Sequence, residues 1–121
     1  MNPWQYRLYR LYRKAHMVLF GLKPGGFIQD PVNTFMGDNV QLSHGTQIYT
    51  CNHRIDNPVL MDDVEPVDIG DDCWLGANVI VLPGVKLGEH TIVGAGSVVT
   101  KSFEDGFCVI AGVPARVIRR I

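Results

Sequence analysis

The sequence has few cysteines, and their spacing does not match the sites that cysteines usually build. Cys51, Cys73 and Cys108 form no CxxC pair, and an odd number of cysteines cannot all pair with one another. A disulfide framework and a zinc knuckle are therefore not expected. Reduced thiols make a cytoplasmic location the default prediction. The chain also has no apolar run of the length that a membrane span requires.

The chain also has little net charge. Eleven basic and twelve acidic residues give a net charge of −1 at pH 7, so no overall electrostatic attraction favours nucleic acid as a partner. The charges are unevenly distributed. All charged side chains in residues 1–20 are basic, and residues 56–72 carry seven acidic side chains. Since 46% of the residues are hydrophobic, we expect one folded domain over residues 1–121.

What the sequence does have is a repeat of six residues. A period of six fits neither an α-helix nor a hairpin strand. It fits a triangular prism in which each hexapeptide makes one short strand and one turn, and in which strands of successive coils pair in parallel. We therefore predict an all-β chain with a parallel β-helix over residues 36–101. Its inward-pointing aliphatic residues would be Met36, Leu42 and Ile48, followed by Ile69, Leu75, Val81, Leu87, Val93 and Val99.

The two runs of this repeat are out of phase, because the 21 positions from Ile48 to Ile69 are not a multiple of six. The mismatch predicts an inserted loop over residues 51–66, and loops on a rigid scaffold often carry the chemistry. Residues 21–35 are rich in glycine and proline and read as irregular, and residues 102–121 read as a C-terminal tail.

Residues 3–20 are predicted to form a short N-terminal helix. Apolar residues recur there at helical spacing: Trp4, Leu8, Leu11, Ala15 and Leu19. This helix is expected to cover the open end of the prism. Its basic residues leave a second interpretation open, in which the helix makes weak contact with an anionic membrane surface.

The motifs of the repeat resemble those of one known family. Residues 66–78, their continuation to Lys101, and residues 111–116 resemble the hexapeptide-repeat acyltransferases, in the branch of maltose, galactoside and nodulation-factor O-acetyltransferases and small enzymes of polysaccharide biosynthesis. The resemblance implies left-handed coils, a homotrimer, and active sites in the clefts between neighbouring prisms. It implies acetyl transfer from acetyl-CoA to a hydroxyl group of a sugar or saccharide precursor, with no metal ion.

A hydroxyl group attacks a thioester well only if a base removes its proton, and histidine is the usual base near neutral pH. The chain has His16, His44, His53 and His90. His53 lies at the start of the inserted loop, where the family has its catalytic histidine, so the resemblance assigns the base to it. A carboxylate or a carbonyl group would hold the tautomer of this base. The sequence leaves Asp62, Asp63 and Glu65 equally open for this role.

Other residues are assigned by the same resemblance. Asn52, Trp74 and Glu65 are predicted on the acceptor side, although Asn52 fits a turn-stabilising role equally well. Ala77 and Ala95 match positions where relatives bind the pantetheine arm of the cofactor through backbone groups. Cations suit the phosphates of the cofactor, and the residues that match positions near its adenosine and phosphates are Thr100, Lys101, Arg116 and Arg119.

Three alternatives stay open at this point. Cys51 is close to His53, so an acyl-cysteine intermediate has to be considered. A γ-type carbonic anhydrase shares the prism and needs three zinc-binding histidines, two of them from one subunit, for which His44, His53 and His90 are the candidates. The third alternative is a trimeric scaffold without catalytic activity.

Overall fold

The computed structural model describes residues 4–5, 7–8, 11, 22–23 and 26–121. These residues form thirteen short β-strands. They are β1 (Leu22–Lys23), β2 (Gly26–Ile28), β3 (Thr34–Met36), β4 (Gln41–Leu42), β5 (Thr46–Ile48), β6 (Val67–Ile69), β7 (Trp74–Leu75), β8 (Ile80–Val81), β9 (Lys86–Leu87), β10 (Thr91–Val93), β11 (Val98–Val99), β12 (Cys108–Gly112) and β13 (Ala115–Arg120).

The strands lie in three sheets, which are the three faces of a prism. The first face has the order β1-β2-β5-β8-β11, the second β3-β6-β9, and the third β13-β12-β10-β7-β4. From β2 to β11 the chain visits the first, second and third face in turn, and strands of successive coils pair in parallel. Only β1 and β13 pair antiparallel among the described strands, each at the end of its sheet. The predicted parallel β-helix is confirmed.

The parallel pairing extends further at both ends than the repeat over residues 36–101. At the N-terminal end β2 already pairs with β5, and at the C-terminal end β12 pairs with β10. The sequence repeat did not predict the strands at either end, because their spacing departs from the regular coil. At the N-terminal end Ile28 and its partner Ile48 are 20 residues apart, and at the C-terminal end Val93 and its partner Ile110 are 17 apart, whereas Leu75 and Val93 are 18 apart.

The core is a stack of side chains that point into the prism. The six aliphatic residues of the main repeat are at most 3% exposed, and each fully buried one stabilises the fold by about 1.5 to 3 kcal/mol; they are Ile69, Leu75, Val81, Leu87, Val93 and Val99. The small residues four positions after them are buried as well: Cys73, Val79, Val85, Thr91 and Ser97. The hexapeptide period therefore reflects two inward-pointing positions in every six.

Three edges join the faces, and each is named here by its contents. The loop edge follows the first-face strands and includes residues 49–66, 82–85 and 100–102. The acidic edge joins the second face to the third and includes Asp38, Asp71 and Glu89. The alanine edge joins the third face to the first and includes Ala77 and Ala95. The corners turn through left-handed backbone, at Asp72 and Asn78 for example, both with φ of 58°. Asn and Asp tolerate this conformation better than most residues.

The inserted loop is present and lies at the loop edge. Strand partners on either side of it are 33 positions apart, as in Met36 and Ile69, whereas partners in the next coil are 18 apart, so the insertion adds 15 residues. The loop leaves and returns as a narrow antiparallel ribbon, in which the Asp62 amide donates to the Asn52 carbonyl at 2.8 Å and His53 bridges to Met61.

Most of the helix predicted over residues 3–20 lies outside the described residues, including Ala15 and Leu19. The positions that are described have helical backbone but are too few to delimit a helix: Trp4, Gln5, Arg7, Leu8 and Leu11. The Trp4, Leu8 and Leu11 side chains are 73%, 61% and 65% exposed, so most of the surface of each is uncovered in the single chain. No helix in the described part of the chain is both long and apolar enough to cross a membrane.

Two buried threonines provide a test of the packing. The Thr50 hydroxyl is buried and finds no hydrogen-bond partner among the described residues, whereas the equally buried Thr46 hydroxyl donates to the Ser43 carbonyl at 2.8 Å. We expect Thr50→Val to raise the free energy of unfolding by about 1 kcal/mol and Thr46→Val to lower it by about the same amount, because an unsatisfied buried hydroxyl costs free energy and a satisfied one does not. Urea denaturation measures both, and the same sign for both variants would contradict this account.

Candidate functional site

His53 is held at the loop edge by a main-chain carbonyl group. Its Nδ1 lies 2.8 Å from the carbonyl oxygen of Pro58. A carbonyl oxygen can only accept a hydrogen bond, so Nδ1 carries the proton, and in the neutral imidazole Nε2 has the free lone pair. The side chain is exposed. His53 is therefore oriented as a proton acceptor with an accessible Nε2 atom.

This contact answers a question that the sequence left open. Asp62, Asp63 and Glu65 were the candidates for holding the tautomer of the histidine, and none of them makes a described hydrogen bond to His53. The carbonyl of Pro58 occupies that position instead. No motif marks a main-chain carbonyl group, so only the path of the loop could reveal this partner.

The turn that presents Pro58 is fixed by contacts within the loop. The Arg54 amide donates to the Leu60 carbonyl at 2.8 Å, and the Leu60 amide donates to the Asn57 carbonyl at 2.9 Å. The Arg54 guanidinium forms a bidentate ion pair with Asp56, with Nε 2.9 Å from Oδ1. The hydrogen bonds from Arg54 lower the pKa of the exposed Asp56 carboxyl group. The lowered pKa favours the ionised carboxylate, the form that pairs with Arg54.

Two of the predicted acceptor-side residues meet beside this loop. Asn52 and Glu65 line a cavity of about 220 Å³ together with Asp62 and Asp63. A neighbouring cavity of about 560 Å³ lies nearer the tip of the loop and is lined by Arg54, Ile55, Asp56, Met61, Asp62 and Asp63. The smaller cavity is mostly polar and the larger one is of mixed character, and His53 is not among the residues that line either of them.

A second group of predicted residues lies on and next to the third face. Trp74 points outward from β7, is 52% exposed, and donates from its indole nitrogen to the Ser43 hydroxyl at 3.1 Å. Nothing in the sequence singled out Ser43. The Trp74 row continues across the sheet through Ile92 and Val109 to Arg119. Paired residues of adjacent strands point to the same side, so Arg119 lies on the outer side that carries Trp74.

The remaining cofactor candidates divide between two edges. Arg116 pairs with Ala111 at the end of the third face, and Ala77 and Ala95 stack at the adjoining alanine edge, where the Gly96 amide donates to the Ala77 carbonyl at 2.8 Å. Thr100 and Lys101 instead follow β11 at the loop edge, where the Lys101 ammonium group lies 5.5 Å from the centre of the Phe103 ring.

The predicted site residues therefore form two separate sets in a single chain. One set lies at the loop edge and comprises Asn52, His53, Glu65, Thr100 and Lys101. The other lies along the third face and the alanine edge and comprises Trp74, Ala77, Ala95, Arg116 and Arg119. Because the two sets lie on different edges of the prism, one chain does not bring the base to the surface that carries Trp74.

The other histidines are also distributed around the prism. His44 lies at the alanine edge, and His90 lies at the acidic edge, where its ring stacks on Phe107 at 5.7 Å; His16 is outside the described residues. His44, His53 and His90 thus occupy three different edges. No group of three histidine, cysteine or carboxylate side chains that could hold a metal ion occurs in the described part of the chain.

The three cysteines are free thiols. Cys51 is partly exposed and its thiol donates to the Asp62 carbonyl at 3.0 Å, within the neck of the loop. Cys73 is buried, and burial raises the pKa of its thiol, which disfavours the nucleophilic thiolate.

The chain is similar in sequence to known transferases. A family model described as bacterial transferase hexapeptide (six repeats) matches residues 66–101. The galactoside O-acetyltransferase of Escherichia coli K12 is 35% identical over 97 residues, which are 78% of this chain and 47% of that protein. The chain spans about half the length of the curated relatives it matches.

Solved structures show the same architecture over nearly the whole chain. A maltose O-acetyltransferase from Clostridium difficile 630 superposes with a TM-score of 0.69 and 28% identity, covering 97% of this chain and 88% of that one. A hexapeptide-repeat acetyltransferase from Vibrio cholerae O1 biovar eltor, complexed with acetyl-CoA, superposes with a TM-score of 0.63 and 25% identity, covering 96% of this chain and 87% of that one. These neighbours imply left-handed coils. The chain belongs to the hexapeptide-repeat transferase family.

Proposed function

We propose that this protein is an acetyl-CoA-dependent O-acetyltransferase that acetylates a hydroxyl group of a sugar or saccharide precursor, with His53 as the general base. The single observation that carries this proposal is the hydrogen bond between His53 Nδ1 and the Pro58 carbonyl, which leaves Nε2 free to accept a proton. The named acetyltransferases among the relatives support the reaction class.

The proposed reaction is direct transfer in a ternary complex. His53 Nε2 accepts the proton of the acceptor hydroxyl as its oxygen attacks the thioester carbonyl carbon. The C–S bond of the tetrahedral intermediate then breaks, and the imidazolium returns the proton to the leaving sulfur atom. Main-chain amide groups beside the cleft would stabilise the oxyanion. No covalent enzyme intermediate is needed.

The residues of the third face and the alanine edge suit the acetyl donor. Arg116 and Arg119 offer cations for phosphate groups, and the small side chains of Ala77 and Ala95 let an extended pantetheine arm approach the main chain. Thr100 and Lys101 at the loop edge are proposed to contribute from the other wall of the cleft. The acetyl donor and the base His53 can therefore face each other across one cleft only if the cleft is formed between two chains.

We further propose that the protein is a homotrimer whose active sites form between chains. Outward-facing apolar residues on the first and third faces are only half-buried in one chain, namely Ile80, Val98, Ile92 and Val109. The outer positions of the second face are the exposed Phe35 and the exposed, charged Asp68 and Lys86. Uncovered apolar rows favour association. In such a trimer the loop edge of one chain would meet the alanine edge of the next.

Subunit mixing tests the shared site. A His53→Ala chain lacks the base, and an Ala95→Trp chain blocks the alanine edge at an exposed position, so each trimer alone is expected to be inactive. When the two are unfolded and refolded together in equal amounts, each site takes its base and its donor surface from different chains. Random assembly then restores about a quarter of the sites, which is measured as acetyl-CoA turnover.

The control is mixing the two folded trimers without unfolding, which leaves both inactive. Recovery of no activity after co-refolding, with trimers confirmed by light scattering, would show that each site is built from one chain. An active Ala95→Trp trimer would remove the alanine edge from the site.

The alternatives are separated by simple measurements. The carbonic anhydrase hypothesis needs two zinc-binding histidines from one subunit, and the three candidates lie on three different edges; stoichiometric zinc in the purified protein would revive it. A scaffold without activity would not bind acetyl-CoA in a calorimetric titration.

Retained activity in Cys51→Ala would dismiss the acyl-cysteine route. Co-sedimentation with anionic vesicles tests membrane contact by the N-terminal segment.

A further inference from the structure

We propose that Gln29 is a positioning residue for His53, an inference that rests on the proposed function. Gln29 follows β2 in the first coil, far from the repeat motifs. Its side-chain Oε1 accepts hydrogen bonds from two consecutive main-chain amides, Thr50 at 2.9 Å and Cys51 at 3.1 Å. These are the two residues at which the inserted loop leaves the prism.

The need for this contact follows from the geometry of the coil. Up to Tyr49 the main chain is paired within the first face, and the Tyr49 amide donates to the Val81 carbonyl at 3.0 Å. After Tyr49 the chain turns away from the neighbouring coil, and among the described hydrogen bonds Thr50 and Cys51 donate to no main-chain carbonyl. Gln29 Oε1 supplies the acceptor that the sheet no longer offers. An unsatisfied amide at a structured position costs free energy.

Gln29 is attached to the same segment through its main chain. Its amide donates to the Ile48 carbonyl at 2.9 Å, so both its backbone and its side chain contact residues 48–51. The return strand of the loop completes the neck, because the Glu65 amide donates to the Thr50 carbonyl at 2.8 Å. His53 is two residues beyond Cys51, and the direction in which the loop leaves the prism sets the place of its imidazole.

Two variants of similar size separate positioning from general stability. Gln29→Glu keeps an oxygen that can accept both hydrogen bonds, and Gln29→Met removes it. We expect Gln29→Met to lower kcat about ten-fold, because misplacing a catalytic group by a fraction of an ångström has effects of this order. The KM for acetyl-CoA should stay within two-fold, since Gln29 is not on the donor surface. Gln29→Glu should retain most of the wild-type kcat.

Amide hydrogen exchange reports on the same contact without turnover. Exchange at Thr50 and Cys51 should be faster in Gln29→Met than in the wild type and Gln29→Glu, while exchange in β7 and β8 should not change. Unchanged exchange at Thr50 and Cys51 in Gln29→Met, or an equal loss of kcat in both variants, would overturn the assignment. If the wild type itself has no acetyl-CoA turnover, the proposed function fails, and the exchange result still decides whether Gln29 holds the loop.

Discussion

Replacement of His53 by alanine is expected to lower kcat by about 10²- to 10⁴-fold, the range that a positioned general base contributes. The loss follows from the contact at Nδ1, because the Pro58 carbonyl fixes one tautomer and leaves Nε2 as the accepting atom. Acetyl-CoA affinity should not change, since the proposed donor surface lies on another edge. Steady-state kinetics and a calorimetric titration of acetyl-CoA measure the two effects.

His90→Asn is the matched control. His90 lies at the acidic edge with φ of 54°, and asparagine tolerates this backbone conformation, so activity should stay near that of the wild type. A His53→Ala protein that keeps more than a tenth of the wild-type kcat would contradict the role of His53 as the base. Loss of acetyl-CoA binding in that variant would instead place His53 on the donor surface.

Gly106→Ala is expected to lower the free energy of unfolding by about 2 to 5 kcal/mol, through left-handed backbone and a steric clash together. Gly106 has φ of 65°, and a Cβ atom there would overlap the Glu89 carbonyl oxygen of the preceding coil. That oxygen accepts the Phe107 amide at 2.8 Å, so the coils would have to separate and lose this hydrogen bond. Thermal or urea denaturation measures the loss.

Gly96→Ala isolates the backbone contribution. Gly96 has a similar φ of 73°, but a Cβ atom there meets nothing within 4 Å, so we expect a loss of only about 1 to 2 kcal/mol. Equal losses in the two variants would mean that the conformation, and not the close stacking of coils, governs stability at these corners.

The sequence predicts the architecture well because the architecture repeats. Each coil places the same kind of residue at the same inward-pointing position. The six-residue period alone therefore predicts that Leu75 and Val93 are buried, and the phase shift before Ile69 predicts the inserted loop. The ends of the prism are harder to predict. There the coil departs from 18 residues, to 20 between Ile28 and Ile48 and to 17 between Val93 and Ile110, and the strands are identified only by their pairing.

The site is less predictable because its geometry comes from contacts that leave no motif. Pro58 acts through a carbonyl oxygen that every residue possesses, and Gln29 acts from a coil that is 21 positions away from Thr50. Ser43 follows β4 and accepts a hydrogen bond from Trp74 on the neighbouring strand β7. The resemblance proposes which residues take part in the reaction. The division of these residues between two edges is a property of the fold, and it leads to the proposal of shared sites.

The last strand gives the prism an asymmetric end. A stack of parallel coils is in principle open to growth, because each outermost strand offers unpaired main-chain groups to another coil or another molecule. Here β13 folds back antiparallel on β12 and presents Arg116, Arg119 and Arg120 along the rim. A coil of another molecule would have to pair with a reversed strand and bury these charges. The hairpin of β12 and β13 thus disfavours end-to-end pairing between molecules at the third face.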